Sequence, residues 1–276
     1  MTRIALYQAR SGIDPARNAE NLESAVASAA EGGAAMLFTP EMCGLLDGEC
    51  ERSRPHLRAE EGDQVLHRLR TAARRHGIWL HVGSLALLAG EGSDRRVNRG
   101  FVIDDEGEIR ARYDKIHLFD VDLPTGESWR ESAIYDAGQS SAVVETPVGK
   151  LGLSICYDLR FANLFRTLSD AGATVLSVPA AFTKPTGEAH WHVLLRARAV
   201  ESACFLVAAA QCGTHEDGRT TYGHSLVVDP WGKVLLDMGE EVGVGFADLD
   251  LARVEEVRAQ LPVLKHRRPI PEPVLS

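Results

Sequence analysis

Hydrophobic and polar positions follow two alternating periods along the chain, and this pattern predicts strands and helices in turn. The run IALYQA near the amino terminus is typical of a buried strand. Asp14-Pro15 then supplies an N-cap and a first helical residue, and the helix is predicted to end at Gly32-Gly33. The next segments predict a strand, a helix closed by Gly77 and a strand: AAMLFTP, GDQVLHRLRTAARRHG and IWLHVGSLAL.

Strands dominate the middle of the chain. VNRGFVIDDEGEIRARYDK predicts a hairpin that turns at residues 105–107, and SAVVETPVGKLGLSIC predicts a second one that turns at 147–149. Helices then return at RFANLFRTLSDAGA and GEAHWHVLLRARAVESA, with strands at ATVLSVPA, FLVAAAQ and GVGFADLD and a hairpin at HSLVVDPWGKVLLDM. No repeat or long linker interrupts this order, so we expect one α/β domain with mixed sheets covered by helices.

Charge and composition narrow the classes of partner. The 276-residue chain has a formal net charge of −9, which argues against nucleic acid or an anionic membrane surface as a partner. No apolar run approaches the roughly 20 residues of a membrane-spanning helix, and the amino terminus has no signal-peptide core. We therefore expect a soluble cytoplasmic protein. The five cysteines are odd in number and form no CxxC pair, so neither a disulfide framework nor a zinc or redox site is indicated.

Cys156 ends the apolar run in KLGLSICYDLRF, residues 150–161, and the chain then turns to charged residues. The pattern predicts a strand-to-helix corner at this cysteine. A helix N-terminus beside the sulfur would favour the thiolate, and backbone N–H groups beyond it could receive an oxyanion. A buried structural cysteine is the alternative, and this stretch alone does not decide between them.

Two charged residues follow other predicted strands. Glu41 comes after AAMLFTP, where we expect partial burial to raise its pKa toward neutrality, and Lys115 follows the first hairpin. None of the ten histidines has a spacing that marks it as the base for Cys156. Taken alone, a glutamate at such a position is more often a loop carboxylate, and a lysine there is more often solvated. Three such residues at three strand ends favour an active site, because active sites of α/β proteins lie beyond the carboxyl ends of strands.

These segments resemble the nitrilase superfamily of carbon-nitrogen hydrolases. TPEM, YDKIHLFD and SICYDLRF match its three signatures in order, and Glu131 in GESWRES matches its second glutamate. The resemblance extends through PAAFTKPTGEAHWHVLLRARAVE and YGHSLVVDPWG to LPVLKHRRP, and is strong for the branch of deaminated glutathione amidases, with omega-amidases as near relatives. It implies a four-layer α-β-β-α sandwich, with a hydrolase domain over 1–260 and a tail over 261–276.

The resemblance also implies the roles of the site residues. Glu41 would be the general base for Cys156, which would attack the amide carbonyl and form a thioester. Lys115 and the backbone N–H of Tyr157 would stabilise the oxyanion, and Glu131 would position Lys115 and the substrate amide. The charged groups should titrate as a coupled set. No metal or organic cofactor is required.

The implied substrate is deaminated glutathione, which would give 2-oxoglutarate and cysteinylglycine. Omega-amidases instead cleave 2-oxoglutaramate or 2-oxosuccinamate, and other members act on nitriles or carbamoyl groups or transfer acyl groups. Phe182 and Thr183 match a segment that lines the pocket, although plain loop packing is the alternative. Arg160 could bind the substrate carboxylate, but we expect it to form a structural salt bridge beneath the corner. His192 stands in AHWH where many relatives have AHWE.

Assembly and rival functions complete the expectations. The resemblance implies a homodimer or a larger homo-oligomer, with the RFANLFRTLSD helix and the tail at the interface. A metal site of Glu188, His190 and His192 is a rival, but positions two apart on a helix face different directions. An inert interaction scaffold is a second rival, because a fold does not assign a function.

Overall fold

The computed structural model describes residues 1–122, 126 and 128–274. Its strands are Thr2–Gln8 (β1), Met36–Phe38 (β2), Trp79–Leu88 (β3), Arg96–Ile103 (β4), Ile109–Asp114 (β5), Asp120–Asp122 (β6), Ser128–Arg130 (β7), Val143–Thr146 (β8), Gly149–Gly152 (β9), Val175–Ser177 (β10), Phe205–Ala208 (β11), Cys212–Thr214 (β12), Thr220–Tyr222 (β13), Leu226–Val228 (β14), Val234–Asp237 (β15) and Gly243–Leu249 (β16). Its α-helices are Pro15–Glu31 (α1), Cys50–Ser53 (α2), Gln64–His76 (α3), Ala162–Asp170 (α4), Lys184–Ser202 (α5), Ala252–Gln260 (α6) and Val263–His266 (α7).

Two six-stranded mixed sheets form the centre of the fold. The first has the order β16-β1-β2-β3-β4-β5, and the second has the order β15-β14-β11-β10-β9-β8. Strands β1, β2 and β3 run parallel, as do β9, β10 and β11, and the hairpin partners pair antiparallel. The carboxyl ends of the central parallel strands therefore meet at one edge of each sheet, where polar loops can converge.

Alternating side chains of β1 show how the layers pack. Ile4 and Leu6 join the core cluster that includes the second sheet with α4 and α5, whereas Ala5 and Tyr7 join the cluster beneath α1 and α3. Successive strand residues point to opposite faces, so a sheet that is buried on both sides is apolar at nearly every position. The expected fold class, a single-domain four-layer α-β-β-α sandwich, is confirmed.

Most predicted boundaries agree with the structure. The Asp14 side chain accepts a hydrogen bond from the Ala16 N–H at the start of α1, and α3 ends at Gly77, whose φ of 60° suits glycine. All three predicted hairpins are present. The strand expected to reach Cys156 instead ends at Gly152, because the Ile155 N–H bonds to the Asp158 carboxylate rather than to a neighbouring strand.

The Pro-rich tail packs on its own chain through one arginine. Arg267, which follows α7, donates to the Arg166 carbonyl and the Ser169 hydroxyl and pairs with Asp170, so the tail is fixed to α4. Residues 275 and 276 of the predicted tail lie outside the described residues, as does Glu127 of GESWRES. Within the described residues, no helix combines the length and apolarity needed to cross a membrane.

Candidate active site

The four predicted catalytic side chains lie together at one end of the sandwich. Glu41 follows β2, Lys115 directly follows β5, and Glu131 begins a short 3₁₀ turn after β7. Cys156 begins a second 3₁₀ turn, residues 156–160, beyond β9. All four line one cavity of about 320 Å³.

Lys115 lies between two carboxylates. Its Nζ donates to Glu41 Oε1 at 2.9 Å and to Glu131 Oε2 at 2.9 Å, and its side chain is 3% exposed. Burial alone would lower the pKa of Lys115, but Glu131 and Glu41 raise it well above its ordinary value. The lysine therefore stays charged at neutral pH.

Glu41 is a buried carboxylate with several donors. Lys115 Nζ and Asn98 Nδ2 donate to its Oε1, each at 2.9 Å, and the Ala181 N–H donates to its Oε2 at 2.9 Å. Burial alone would raise the pKa of Glu41, but the charge of Lys115 and hydrogen bonds from Cys156, Lys115 and the Ala181 N–H lower it. The expectation that its pKa is raised was wrong, because it considered only burial and not the donors.

Cys156 is held in a strained conformation as a thiol. Its φ is 47°, a left-handed value that is uncommon for a residue with a side chain, and its N–H donates to the Pro179 carbonyl at 2.9 Å. Burial and the charge of Glu41 raise the pKa of Cys156 well above its ordinary value. The expectation that a helix N-terminus favours the thiolate was wrong, since Cys156 lies in a 3₁₀ turn and α4 begins only at Ala162.

Asn98 links the two carboxylates, and the sequence did not single it out. Its Nδ2 donates to Glu41 Oε1 at 2.9 Å and to Glu131 Oε1 at 3.2 Å. Its Oδ1 is buried and has no hydrogen-bond partner among the described residues. Asn98 lies within β4, in a run that resembles any buried strand, so only its polarity inside an apolar pattern could have indicated a role.

Asp158 links the cysteine turn, residues 156–160, to the lysine segment, residues 113–117. The fully buried carboxylate accepts hydrogen bonds from the Tyr113 hydroxyl at 2.7 Å, the Ile155 N–H at 2.9 Å and the His117 N–H at 3.0 Å. The His117 Nδ1 lies 2.6 Å from it as well. Residues on both sides of Lys115 and next to Cys156 thus share one anchor. In the sequence, the aspartate of the CYD segment, residues 156–158, indicated this position.

The predicted substrate residues line the same cavity. Tyr157, Phe182 and Thr183 all contribute to its wall, and Phe182 packs against Trp191 with ring centroids 5.0 Å apart. Arg160 lies over the rings of Tyr157 and Phe182, at 5.9 and 5.3 Å from their centroids. The prediction that Arg160 forms a salt bridge was wrong. Among the described residues, no carboxylate oxygen lies within 4.0 Å of its guanidinium.

The histidines of α5 do not form the rival metal site. His190 Nδ1 contacts the Arg160 guanidinium at 3.3 Å, whereas His192 Nε2 contacts Asp237 Oδ2 at 2.9 Å. His224 Nδ1 contacts the other oxygen of Asp237 at 2.8 Å. This second cluster has its ligand atoms within 4.8 Å of one another, but it is not part of the cavity wall. Hydrogen bonds between Asp237 and the two histidines account for its geometry.

A buried cysteine, a lysine and two glutamates at the end of an α-β-β-α sandwich define a hydrolase site. The family model described as carbon-nitrogen hydrolase matches residues 3–259. The chain therefore belongs to the carbon-nitrogen hydrolase family, and it is an enzyme that hydrolyses carbon–nitrogen bonds other than peptide bonds.

Individual relatives are similar over nearly the whole chain. The deaminated glutathione amidase of Yersinia enterocolitica is 41% identical over 266 residues, which cover 96% of this chain and 92% of that protein. The crystal structure of the Caenorhabditis elegans NitFhit protein has a TM-score of 0.89 at 39% identity, covering 97% of this chain and 65% of that chain. A mutant of the Nesterenkonia sp. AN1 amidase, with acrylamide added at its active-site cysteine, has a TM-score of 0.78 at 32% identity, covering 95% and 98%.

Proposed function

We propose that the enzyme hydrolyses deaminated glutathione to 2-oxoglutarate and cysteinylglycine. The observation that carries the proposal is the buried Lys115 between Glu41 and Glu131, beside the Cys156 thiol on the wall of the cavity. Relatives named for this activity are about 40% identical over nearly all of the chain, which supports the choice of substrate.

Acylation begins when the Cys156 sulfur attacks the amide carbonyl and Glu41 takes the thiol proton. Lys115 and the Tyr157 N–H stabilise the oxyanion of the tetrahedral intermediate. As the carbon–nitrogen bond breaks, Glu41 gives the proton to the departing nitrogen, and a 2-oxoglutaryl thioester remains on Cys156. Water then attacks the thioester, with Glu41 as base again. The sulfur takes back a proton and 2-oxoglutarate leaves.

The two pKa shifts suit this sequence of steps. A lowered pKa for Glu41 and a raised pKa for Cys156 leave the proton on sulfur in the resting enzyme. The proton therefore moves only as the carbon–sulfur bond forms, and the resting thiol is protected from adventitious electrophiles. Glu131 positions Lys115 through the contact at 2.9 Å. These steps need no metal and no organic cofactor.

The acyl part of the substrate binds beside Phe182 and Thr183. Arg160 lies over the Tyr157 and Phe182 rings and carries a positive charge suited to a 2-oxo carboxylate. Apolar ring faces next to a guanidinium fit a short dicarboxylic acyl chain. Its methylene groups pack against the rings, and its terminal carboxylate pairs with the guanidinium.

We also propose a cytoplasmic homodimer. Val193 and Val200 on α5 are 60% and 44% exposed and Trp231 is 55% exposed, which suits burial in a contact formed by α4, α5 and the tail over 261–276. All five cysteines are free, as is usual in a reducing compartment. Sedimentation equilibrium of the wild type and of Val193→Asp tests the dimer, which the aspartate should dissociate.

The test of the activity compares release of 2-oxoglutarate from deaminated glutathione and from 2-oxoglutaramate. We expect a clear preference for deaminated glutathione and no release by Cys156→Ala. Cys204→Ala is the matched control, because Cys204 is also a buried thiol but lies outside the cavity wall. A preference for 2-oxoglutaramate would identify an omega-amidase instead. Equal activity of Cys156→Ala and Cys204→Ala would refute the mechanism.

A further inference from the structure

Arg96 is a buried cation with only neutral partners. The residue is 7% exposed and lines the cavity, and its guanidinium donates to the Ser53 hydroxyl at 3.1 Å and to the Cys50 carbonyl at 3.3 Å. Over the described parts of the chain, no carboxylate oxygen lies within 4.0 Å of it.

The other arginines of the cavity wall differ from Arg96 in this respect. Arg219 pairs with Asp217 at 2.9 Å, and Arg130 pairs with Asp122 at 2.8 Å. A charge taken out of water without a counter-charge is strongly unfavourable, so buried arginines are normally paired. The cavity therefore offers Arg96 to an anion that arrives with the substrate.

The position of Arg96 on β4 shows which part of the substrate it faces. Arg96 and Asn98 are two residues apart, so their side chains leave the same face of the strand about 7 Å apart along it. Asn98 bonds to Glu41, which has to protonate the departing nitrogen. Arg96 thus leaves the same strand face as Asn98, which bonds to the residue that gives the departing nitrogen its proton, whereas Arg160 lies over the rings of Tyr157 and Phe182.

Two aromatic residues complete a polar end of the cavity. Trp129 lines the cavity under the Arg219 guanidinium, 4.7 Å from its ring centroid, and its buried indole Nε1–H has no partner among the described residues. Tyr135 lines it too. Burial raises the pKa of Tyr135 to about 12, against the opposing charge of Arg96, so its hydroxyl remains a donor. A carboxylate here would meet a guanidinium and neutral donors.

We propose that Arg96 binds the carboxylate of the leaving amine, so that the enzyme selects amides whose amine part is an amino acid or short peptide with a free carboxyl end. This inference rests on the proposed function, where the leaving amine is cysteinylglycine. Arg96 is then the specificity residue that separates such substrates from simple amides that release ammonia.

The test compares deaminated glutathione with its carboxyl-terminal amide. For the wild type we expect kcat/KM to be about 30-fold higher for the acid, as fits a charged hydrogen bond to a buried group, with most of the difference in KM. In Arg96→Met the ratio of acid to amide should fall to about 1, and Arg96→Lys should restore part of it. Arg3→Met is the matched control, because Arg3 is exposed, pairs with Asp248 at 3.0 Å and lies outside the cavity wall, so its ratio should stay at the wild-type value.

Several results would overturn the assignment. A wild-type ratio near 1, or equal losses on the acid and the amide in Arg96→Met, would show that Arg96 does not bind the leaving-group carboxylate. An equally large loss on 2-oxoglutaramate would place Arg96 on the acyl carboxylate. If the wild type cleaved none of these amides, the proposed function would fail. In that case, calorimetric binding of cysteinylglycine tests the subsite separately. Binding by the wild type that is retained in Arg96→Met, or that is lost equally in Arg96→Met and Arg96→Lys, would overturn the subsite.

Discussion

Replacing Asp158 by asparagine tests whether the cysteine turn and the lysine segment are held by one anchor. The carboxylate is fully buried. Its two oxygens accept hydrogen bonds from the Tyr113 hydroxyl and from the N–H groups of Ile155 and His117, and the His117 Nδ1 also contacts it. Asn keeps the shape but turns one oxygen into a donor. The Tyr113 hydroxyl and the His117 ring can adapt by rotation or by a change of tautomer, whereas a backbone N–H cannot.

The size of the effect follows from this count. At least one backbone N–H, that of Ile155 or of His117, faces the new amide group and loses a hydrogen bond to a charged acceptor. Such a bond contributes about 1.5–3 kcal/mol, and a buried donor left unpaired costs a similar amount, so we expect about 3 kcal/mol less stability. A displacement of Cys156 by about 1 Å can reduce the rate about 100-fold. We expect a kcat loss of that order with little change in KM.

The assay pairs steady-state kinetics on deaminated glutathione with urea unfolding of the same protein. Asp104→Asn is the matched control, because Asp104 is also buried and accepts two backbone N–H bonds, from Glu106 and Glu108, but in the turn between β4 and β5. It should lose stability and keep its kcat. If Asp158→Asn lost stability while keeping the wild-type kcat, or if both variants lost kcat equally, the anchor would be refuted.

Three further predictions concern the charges around the nucleophile. Lys115→Met leaves the buried carboxylate of Glu41 and the partly buried one of Glu131 without a cation, so kcat should fall at least about 1000-fold and urea unfolding should show about 3–5 kcal/mol less stability. Asn98→Ala should lower kcat about 10-fold in the same assay, because Glu41 and Glu131 lose a shared donor. Since Lys115 lowers the pKa of Glu41, kcat/KM should stay level from about pH 8 to pH 5 and fall only below the ordinary glutamate value of about 4.3.

The acid side of the profile also has a stability component. A carboxylate whose pKa is lower in the folded state contributes stability above its unfolded pKa, and this is lost as the pH falls through the folded pKa. Unfolding and inactivation should therefore occur together below about pH 4.3. A loss of activity centred near pH 6 with the fold intact would contradict the lowered pKa of Glu41. Wild-type stability of Lys115→Met, or wild-type kcat of Asn98→Ala, would contradict the charge network.

The sequence predicted the parts of the site that depend on local pattern. Glu41, Lys115 and Cys156 each lie at the end of a predicted strand, so the sequence alone predicted that strand ends converge at the site. Asn98 lies inside β4 and Arg96 begins it, and their partners come from segments that are remote in sequence. Their roles could not be predicted, because a buried polar residue within a strand acquires its role only from tertiary neighbours.

The errors about ionisation have the same physical origin. The raised pKa expected for Glu41 followed from burial alone, and the thiolate expected for Cys156 followed from a nearby helix. In the structure Lys115, Asn98 and the Ala181 N–H stabilise the charged Glu41, and Glu41 in turn destabilises a negative charge on Cys156. The sign of each shift depends on a balance of several neighbours, which a linear pattern does not supply.

The most direct test of the account is to trap the thioester. Wild-type enzyme is mixed with deaminated glutathione, quenched in acid within one turnover, digested and analysed by mass spectrometry. The account predicts a 2-oxoglutaryl group on the peptide that contains Cys156, with 2-oxoglutarate appearing as the group is lost. Turnover with no acyl group on Cys156, or with the group on another residue, would contradict it.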